Sequence, residues 1–231
     1  QSENGTMIAV KGERTRIEET LKDIPSVKIA NYNSPGQVVA AGSGADIETA
    51  SEALEKAGFS VYPLNVSAAF HTGLVGHARE PFAEAIKKEQ FKKPVGKVYS
   101  NSTAECYPND PEHVTDILCD HILNSVRFQE EIENIYKEGG RVFVEIGPKN
   151  VLSNLVKEIL AGESFELITL NPNQRGDSDL QYRRAVLQMK IIGLKLGEVD
   201  PYRSIHEPVI SAKSKVAVKL NGGSYISETT R

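Results

Sequence analysis

The stretch Val27-Lys28-Ile29-Ala30-Asn31-Tyr32-Asn33-Ser34-Pro35-Gly36-Gln37-Val38-Val39-Ala40-Ala41 decides the fold of the first third of this 231-residue chain. Its two halves are rich in apolar and β-branched residues, and Ser34-Pro35-Gly36 separates them. Proline and glycine at such a position are typical of a tight turn. The stretch therefore predicts two antiparallel strands joined as a hairpin.

A helix and a further strand are predicted on each side of this hairpin. Upstream, Met7–Val10 is a short apolar run, and residues 13–21 carry apolar side chains at helical spacing. Downstream, residues 46–57 predict a second helix and residues 59–65 a last strand. The resulting order β-α-β-β-α-β is the ferredoxin-like arrangement, and it places a first unit at residues 5–66.

A single histidine ends the apolar run that follows, Asn65-Val66-Ser67-Ala68-Ala69-Phe70-His71. Thr72-Gly73 then breaks the run before a predicted helix at residues 74–88. This pattern can present one imidazole at the end of a strand, where a general base is useful. A histidine that packs or caps locally gives the same pattern, so the segment alone leaves both interpretations open.

Strands alternate with helices in the next unit, residues 67–206. Three strands are predicted, at Lys97–Ser100, Arg141–Ile146 and Phe165–Leu170. Further helices are predicted at residues 110–123, 127–137, 150–160 and 177–196. This alternation predicts a parallel α/β sheet.

Three strands are few for a parallel sheet, which usually has about five or six and is buried on both faces. We therefore expect this unit to be the C-terminal part of a larger domain whose other strands precede it. Residues 207–231 carry little periodicity and several serines, glycines and lysines, which predicts a linker.

The amino-acid composition limits the kinds of partner and the location that we expect for this chain. The formal net charge is -4 and no dense Lys/Arg run occurs, which argues against nucleic acid or an anionic membrane as the main partner. No apolar stretch approaches the roughly 20 residues that span a bilayer. Cys106 and Cys119 form neither a CxxC motif nor a disulfide pattern, so a cytoplasmic location is expected.

Four motifs in order carry a family resemblance. They are Asn33-Ser34-Pro35-Gly36-Gln37-Val38-Val39, Ala68-Ala69-Phe70-His71, Asn124-Ser125-Val126-Arg127-Phe128, and Phe143-Val144-Glu145-Ile146-Gly147-Pro148 with Val151-Leu152. Residues 5–171, which contain them, resemble the malonyl-CoA:acyl carrier protein transacylases and the acyltransferase domains of fatty acid and polyketide synthases. The stretches 173–179 and Asp200-Pro201-Tyr202 are similar to the segment after this domain in multidomain polyunsaturated fatty acid synthases.

The resemblance implies a fold and a reaction. The fold is an α/β-hydrolase-like core with an inserted ferredoxin-like subdomain, which accounts for both predicted units. The reaction moves malonyl from malonyl-CoA to the phosphopantetheine thiol of an acyl carrier protein through a serine ester, and His71 is the general base. No bound cofactor or metal is implied, and the implied partners are carrier protein domains and neighbouring synthase domains.

The resemblance also implies roles for three further residues. Asn33 matches a residue that lines the site, and the main-chain carbonyl of Arg127 matches the group that orients the histidine. Phe70 matches the bulky residue typical of malonyl rather than methylmalonyl selection. One methyl group in such a pocket is worth about 1–3 kcal/mol of discrimination.

The chain departs from the family in lacking a nucleophile. The family's serine lies in a Gly-His-Ser-x-Gly elbow upstream of the inserted subdomain, and no G-x-S-x-G occurs in this sequence. Ser43 does not replace it, because it follows a predicted strand at the turn into a helix. We expect the chain to be inactive alone and to need the missing N-terminal half of the domain as a partner; the alternative is a non-catalytic scaffold fragment.

Two other features of the sequence each allow more than one interpretation. His113, Asp116 and Asp120 share one face of a predicted helix, which fits either a metal site or a solvated polar face, and we expect the latter. Glu145, at the end of a predicted strand, is either a buried, hydrogen-bonded carboxylate or part of the site lining.

Overall fold

The computed structural model describes residues 5–197 and Val199, and its first part is a four-stranded antiparallel sheet in the order β2-β3-β1-β4. The strands are β1 (Thr6–Lys11), β2 (Lys28–Ser34), β3 (Gln37–Gly42) and β4 (Ser60–Pro63). The helices are α1 (Arg14–Leu21), between β1 and β2, and α2 (Gly44–Lys56), between β3 and β4. The predicted element order β-α-β-β-α-β is therefore present in the structure.

Local chemistry sets the ends of these elements. Ser34 pairs with Gln37 across the hairpin, so Pro35 and Gly36 form the turn. The carboxylate of Glu13 accepts hydrogen bonds from the backbone N–H groups of Thr15 and Arg16 and thereby caps α1. Such caps satisfy N–H groups that the helix itself leaves without partners.

Both faces of this sheet are covered, since successive strand residues point to opposite sides. Ile8 and Val10 of β1 pack with buried residues of α1 and α2. Met7 and Ala9 point the other way and pack with Ala69, a fully buried residue of the loop after β4. The second face therefore anchors the segment that leads to His71.

The second part contains five helices and a parallel pair of strands. The strands are β5 (Val142–Pro148) and β6 (Glu166–Asn171), which pair in parallel as predicted. The helices are α3 (Arg79–Lys87), α4 (Pro111–Asp120), α5 (Phe128–Lys137), α6 (Val151–Ile159) and α7 (Ser178–Ile191). No helix among the described residues is long and apolar enough to cross a membrane.

The third predicted strand of this part, Lys97–Ser100, is wrong. Tyr99 makes one isolated antiparallel bridge to Cys106, and no ladder extends from it. The chain turns back at once, because Ser100 N donates to Glu105 O at 2.8 Å and Ala104 adopts a φ of 60°. The pairing is limited to this one bridge and the Tyr107 N to Val98 O hydrogen bond of 2.7 Å beside it, so residues 97–100 form no strand.

Several predicted helix boundaries also differ, and one prediction falls outside the described residues. The helix expected from residue 74 begins as a 3-10 helix, Gly73–Ala78, before α3. The last helix stops at Ile191, two residues before Gly193 adopts a φ of 85°. The predicted linker, 207–231, and the end of the unit 67–206 lie outside the described residues.

The parallel pair is covered on one face only. Phe143 and Leu167 pack toward a core formed by Ile132, Val156 and Leu160. On the other face of β5, the apolar side chains alternate outward and are exposed; they are Val142, Val144 and Ile146, the last at 82%. An apolar strand face of this kind is typical of a surface that another segment covers.

The segment between α4 and α5 joins the two parts. Val126 forms a parallel bridge with Asn31 at the outer edge of β2. Two backbone hydrogen bonds of 2.8 Å, from Tyr32 N to Val126 O and from Val126 N to Ala30 O, hold it there. The next residues upstream, which lead back to α4, are thereby brought to the loop that carries His71.

Candidate functional site

Three backbone carbonyls from the turn after α4 hold His71. Its backbone N–H donates to Ile122 O at 3.1 Å. Its ring nitrogen Nδ1 lies 3.0 Å from Asn124 O and 3.2 Å from His121 O. One short turn thus fixes both the main chain and the side chain of this histidine.

Two buried neighbours place His71 against that turn. Ala69 is fully buried, and Thr72 is 3% exposed. The Thr72 hydroxyl donates to Ala69 O at 2.7 Å and accepts from Leu74 N at 3.2 Å. His71 therefore lies in a turn rather than at a strand end as predicted, because β4 already stops at Pro63.

The backbone of His71 adopts a φ of 62°. The left-handed region costs a non-glycine residue about 1–3 kcal/mol and persists only where the surroundings fix it. Here the carbonyl contacts and the buried anchors provide that constraint. Strain of this kind is concentrated at functional sites.

The carbonyl contacts select one tautomer of His71. A carbonyl oxygen only accepts hydrogen bonds, so Nδ1 must carry the proton that it donates to Asn124 O. The other nitrogen, Nε2, then has a free lone pair. A neutral imidazole held in this way is suited to accept a proton from a hydroxyl or thiol.

The prediction that the Arg127 carbonyl orients His71 is wrong. That carbonyl accepts the Glu131 N–H at 3.0 Å in the first turn of α5. The Arg127 guanidinium contacts Thr103 O at 3.0 Å and the Glu130 carboxylate. Asn124 provides the orienting carbonyl instead, since it precedes the helix and no helical N–H competes for its oxygen.

The two residues predicted to line the site are placed differently. Phe70 directly precedes His71 in the chain and is 38% exposed. Asn33 lies in β2, half-buried, two residues beyond Asn31. Within residues 5–197, no hydrogen bond joins Asn33 to His71.

A second histidine, which the sequence analysis did not single out, lies beside the first. The rings of His71 and His121 meet edge to face, with centroids 5.4 Å apart and planes at 76°. His121 Nδ1 lies 2.7 Å from the Ser102 hydroxyl. Burial, and to a smaller extent the charge of His71, lower the pKa of His121 below its usual value.

The structure decides the role of Glu145. Its carboxylate accepts from Leu152 N at 3.1 Å, from Ser153 N at 2.8 Å and from the Ser153 hydroxyl at 2.5 Å. It therefore caps the first turn of α6, where a negative charge is favourable. Glu145 is therefore hydrogen-bonded, as the first interpretation requires, although it is half-buried rather than buried.

Ser43 is also committed to a structural role. It is the N-cap of α2, since its hydroxyl accepts from Asp46 N at 3.2 Å and donates to the Asp46 carboxylate at 2.5 Å. Asp120 of the suggested metal face is bound to Arg79. No group of three or more His, Cys, Asp or Glu side chains in the described part of the chain is arranged to hold a metal ion.

Comparison with known sequences shows the family to which this chain belongs. The sequence matches the acyl transferase domain family over residues 1–195. It is 35% identical over 212 residues to a polyunsaturated fatty acid synthase polypeptide of Thraustochytrium sp. (strain ATCC 26185 / S-3), and the match covers 90% of this chain and 7% of that protein. It is 37% identical over 161 residues to the polyketide biosynthesis malonyl CoA-acyl carrier protein transacylase PksC of Bacillus subtilis (strain 168), covering 68% of this chain and 55% of that one.

A solved structure gives the same result. The acyltransferase domain from the second module of the salinomycin polyketide synthase superposes with a TM-score of 0.76 at 26% sequence identity. The match covers 84% of this chain and 45% of that one. The chain thus spans only about half, or much less, of the length of each of these proteins.

Proposed function

The chain belongs to the acyltransferase family, and from this premise we propose that it supplies the general base of a malonyl-CoA:acyl carrier protein transacylase. The observation that carries the proposal is the His71 ring, with Nδ1 on the Asn124 carbonyl and Nε2 left to accept a proton. A serine from the missing N-terminal half of the domain is the nucleophile.

In the first half-reaction, the serine hydroxyl attacks the thioester carbonyl of malonyl-CoA. His71 Nε2 takes the hydroxyl proton as the new oxygen–carbon bond forms. The carbon–sulfur bond then breaks, and the leaving CoA sulfur takes the proton back from His71. The product is a malonyl-serine ester and free CoA.

In the second half-reaction, the phosphopantetheine thiol of a carrier protein attacks that ester. His71 removes the thiol proton and returns it to the departing serine oxygen. Throughout, the Asn124 carbonyl holds the Nδ1 proton and stabilises the imidazolium that forms between the two transfers. The residue that has this role in the Ser-His-Asp triad is a carboxylate, and here a backbone carbonyl takes its place.

Phe70 and Asn33 are proposed to line the acyl pocket. The exposed Phe70 ring, next to the base, leaves little room for an α-methyl group and so favours malonyl over methylmalonyl. For Asn33 the support is the family motif Asn33-Ser34-Pro35-Gly36-Gln37 alone. A contact with substrate would have to form once the missing half is present.

The fold is proposed to be a ferredoxin-like subdomain followed by the C-terminal part of an α/β-hydrolase-like core. The strand order β2-β3-β1-β4 supports the first unit. For the second unit, we propose that the missing half covers the exposed face of β5. The support is the outward apolar row Val142, Val144 and Ile146, whose side chains the described residues leave exposed.

The wider setting is proposed to be a multidomain synthase in the cytoplasm. The match over 90% of the chain to a polyunsaturated fatty acid synthase polypeptide supports fatty acid biosynthesis, and polyketide biosynthesis is the other candidate. The partners would be acyl carrier protein domains and neighbouring synthase domains. Malonyl-CoA is the substrate and no bound cofactor is required.

The test is the His71→Ala variant in an acyltransferase domain that contains both halves. We expect malonyl transfer to fall by at least about a hundredfold, the usual weight of a general base. His77→Ala is the matched control, because His77 is exposed in the following 3-10 helix and outside the carbonyl turn. Near-normal transfer by His71→Ala would favour the alternative, a non-catalytic scaffold fragment of a synthase.

A further inference from the structure

His121 contacts His71 twice, and the mechanism above uses neither contact. Its backbone carbonyl lies 3.2 Å from His71 Nδ1, and its ring meets the His71 ring edge to face. His121 ends α4, where its N–H donates to Leu118 O at 3.2 Å. Its ring is half-buried, whereas most polar residues at a helix end project into water.

We propose that His121 is a positioning residue, whose neutral ring holds the His71 ring in its proton-accepting orientation and lies beside the charge that His71 acquires. The proposal rests on the proposed function for the role of His71 as base. It goes beyond that function in assigning a second histidine that does not itself touch the reacting atoms.

The His121 ring is anchored through the Ser102 hydroxyl. Ser102 binds His121 Nδ1 at 2.7 Å, and Ser102 N in turn donates to the Ser100 hydroxyl at 3.2 Å. Ser100 is 1% exposed, so the anchor extends to a buried residue. The His121 ring is therefore fixed from behind and blocks one side of the space into which the His71 ring can rotate.

The charged side chains on the helices near His121 are paired with one another. The Arg79–Asp120 pair, at 2.6 Å, joins α3 to α4, and the Arg127–Glu130 pair lies at the start of α5. The second pair extends to Arg14 and Glu18, so each group of charges is balanced, and His71 is the charged neighbour that acts on His121. Because two imidazolium rings 5.4 Å apart repel each other, a proton on His71 keeps His121 neutral.

A neutral ring is the favourable neighbour for a new cation. At a centroid distance of 5.4 Å, a protonated His121 ring would repel a positive charge on His71, and a neutral ring does not. In the proposed mechanism, His71 carries that charge between the two proton transfers. The same contact thus restrains the free base and tolerates its protonated form.

The direct test is NMR of this chain labelled with ¹⁵N-histidine, which reports the tautomer of His71 without any catalysis. We expect wild type to show the Nδ1–H form and His121→Ala to show a mixture of both neutral tautomers. His121→Phe should restore the Nδ1–H form, since an aromatic ring again fills the space. Ser102→Ala releases the His121 ring without removing it and should give an intermediate mixture.

His113→Ala is the matched control, because His113 is exposed on the same helix, α4, and should leave the His71 signals unchanged. A second measurement uses an acyltransferase domain with both halves. In that domain, His121→Ala should lower kcat about tenfold at an unchanged KM for malonyl-CoA. His121→Phe should recover most of the lost kcat.

An unchanged His71 tautomer in His121→Ala would overturn the proposal. A loss of the Nδ1–H form that His121→Phe does not restore would also overturn it. The two proposals fail separately. If His71→Ala kept its activity, the proposed function would fail, whereas the NMR comparison would still report whether His121 positions the ring.

Discussion

The two sheets of this molecule differ in how completely they are covered. The four-stranded sheet is buried on both faces, and residues such as Val10, Ala40 and Leu54 have no exposed surface. The parallel pair β5–β6 is covered on one face and exposes Ile146 at 82% on the other. His71 is anchored to the first sheet through Ala69.

This difference shows which part of the site the chain builds by itself. His71 and its carbonyl partners depend on the covered sheet and on the segment paired with its edge, so their arrangement forms within the chain. The exposed face of β5 marks where our account expects a further segment to pack. If the comparison is right, substitutions in the two sheets must have very different effects on this chain.

The largest effect is expected at Leu54 of α2. Leu54→Ala removes a fully buried side chain between helix and sheet, which should lower the free energy of unfolding by about 2–5 kcal/mol. Urea denaturation followed by far-UV circular dichroism measures it. Val95→Ala is the control, since Val95 is fully exposed; equal effects of the two variants would mean that the first sheet is not a covered core.

A smaller effect is expected at Glu145 of β5. Glu145→Gln weakens the cap that the carboxylate provides to Leu152 N and Ser153 N, and should cost about 1 kcal/mol. Faster hydrogen exchange in the first turn of α6 would reveal it. Glu166→Gln, an exposed position on the neighbouring strand, should leave exchange in α6 unaltered; protection unaffected by Glu145→Gln would argue against the cap.

A still smaller effect on stability is expected at Ile146. Because its side chain is already 82% exposed, Ile146→Ser should change the free energy of unfolding of this chain by less than about 0.5 kcal/mol. The same substitution should weaken binding of the N-terminal half, which isothermal titration calorimetry measures. Binding as tight as wild type would mean that the face of β5 is not the contact surface.

The smallest effect is a dependence of stability on pH. Folding lowers the pKa of His121, so below the ordinary histidine value of about 6.5 the unfolded chain binds more protons than the folded chain. The free energy of unfolding should therefore be insensitive to this residue above pH about 6.5 and fall as the pH drops below it. Urea denaturation at two pH values should show a shallower fall in His121→Gln; identical slopes would contradict the assigned direction.

The first sheet was predictable because its signals are local. Hairpin chemistry at Ser34-Pro35-Gly36 and apolar periodicity in residues 13–21 and 46–57 describe elements that the structure contains. The helix predicted from Asp46 in fact has its N-cap at Ser43, three residues earlier. Both residue types cap helices, so local sequence alone does not choose between them.

The site was predictable only in part. The histidine His71 could be singled out by its residue type. Its partners are backbone carbonyls, which every residue has, so the sequence does not indicate which residues provide them. This is why Arg127 was chosen within the motif Asn124–Phe128, although the geometry selects Asn124. His121 was missed because the spacing of 50 residues to His71 has no periodic meaning until the chain folds.

The false strand at Lys97–Ser100 has a related cause. Short apolar runs favour strands only when a partner strand is within reach, and here the chain turns back at Ala104. In β5, by contrast, the predicted strand does form, but one of its faces is left exposed. Its apolar residues fit a buried parallel strand, while the described chain covers only one side of it.

The most direct test of the central claim is the intact mass of this chain after incubation with malonyl-CoA, alone and mixed with the N-terminal half that we propose completes the domain. Our account predicts that malonyl labelling appears only in the mixture, on a serine of the added half, and that His71→Ala in this chain suppresses it. Labelling of this chain by itself would contradict the account, and peptide mapping would then begin with Ser43 and Ser67.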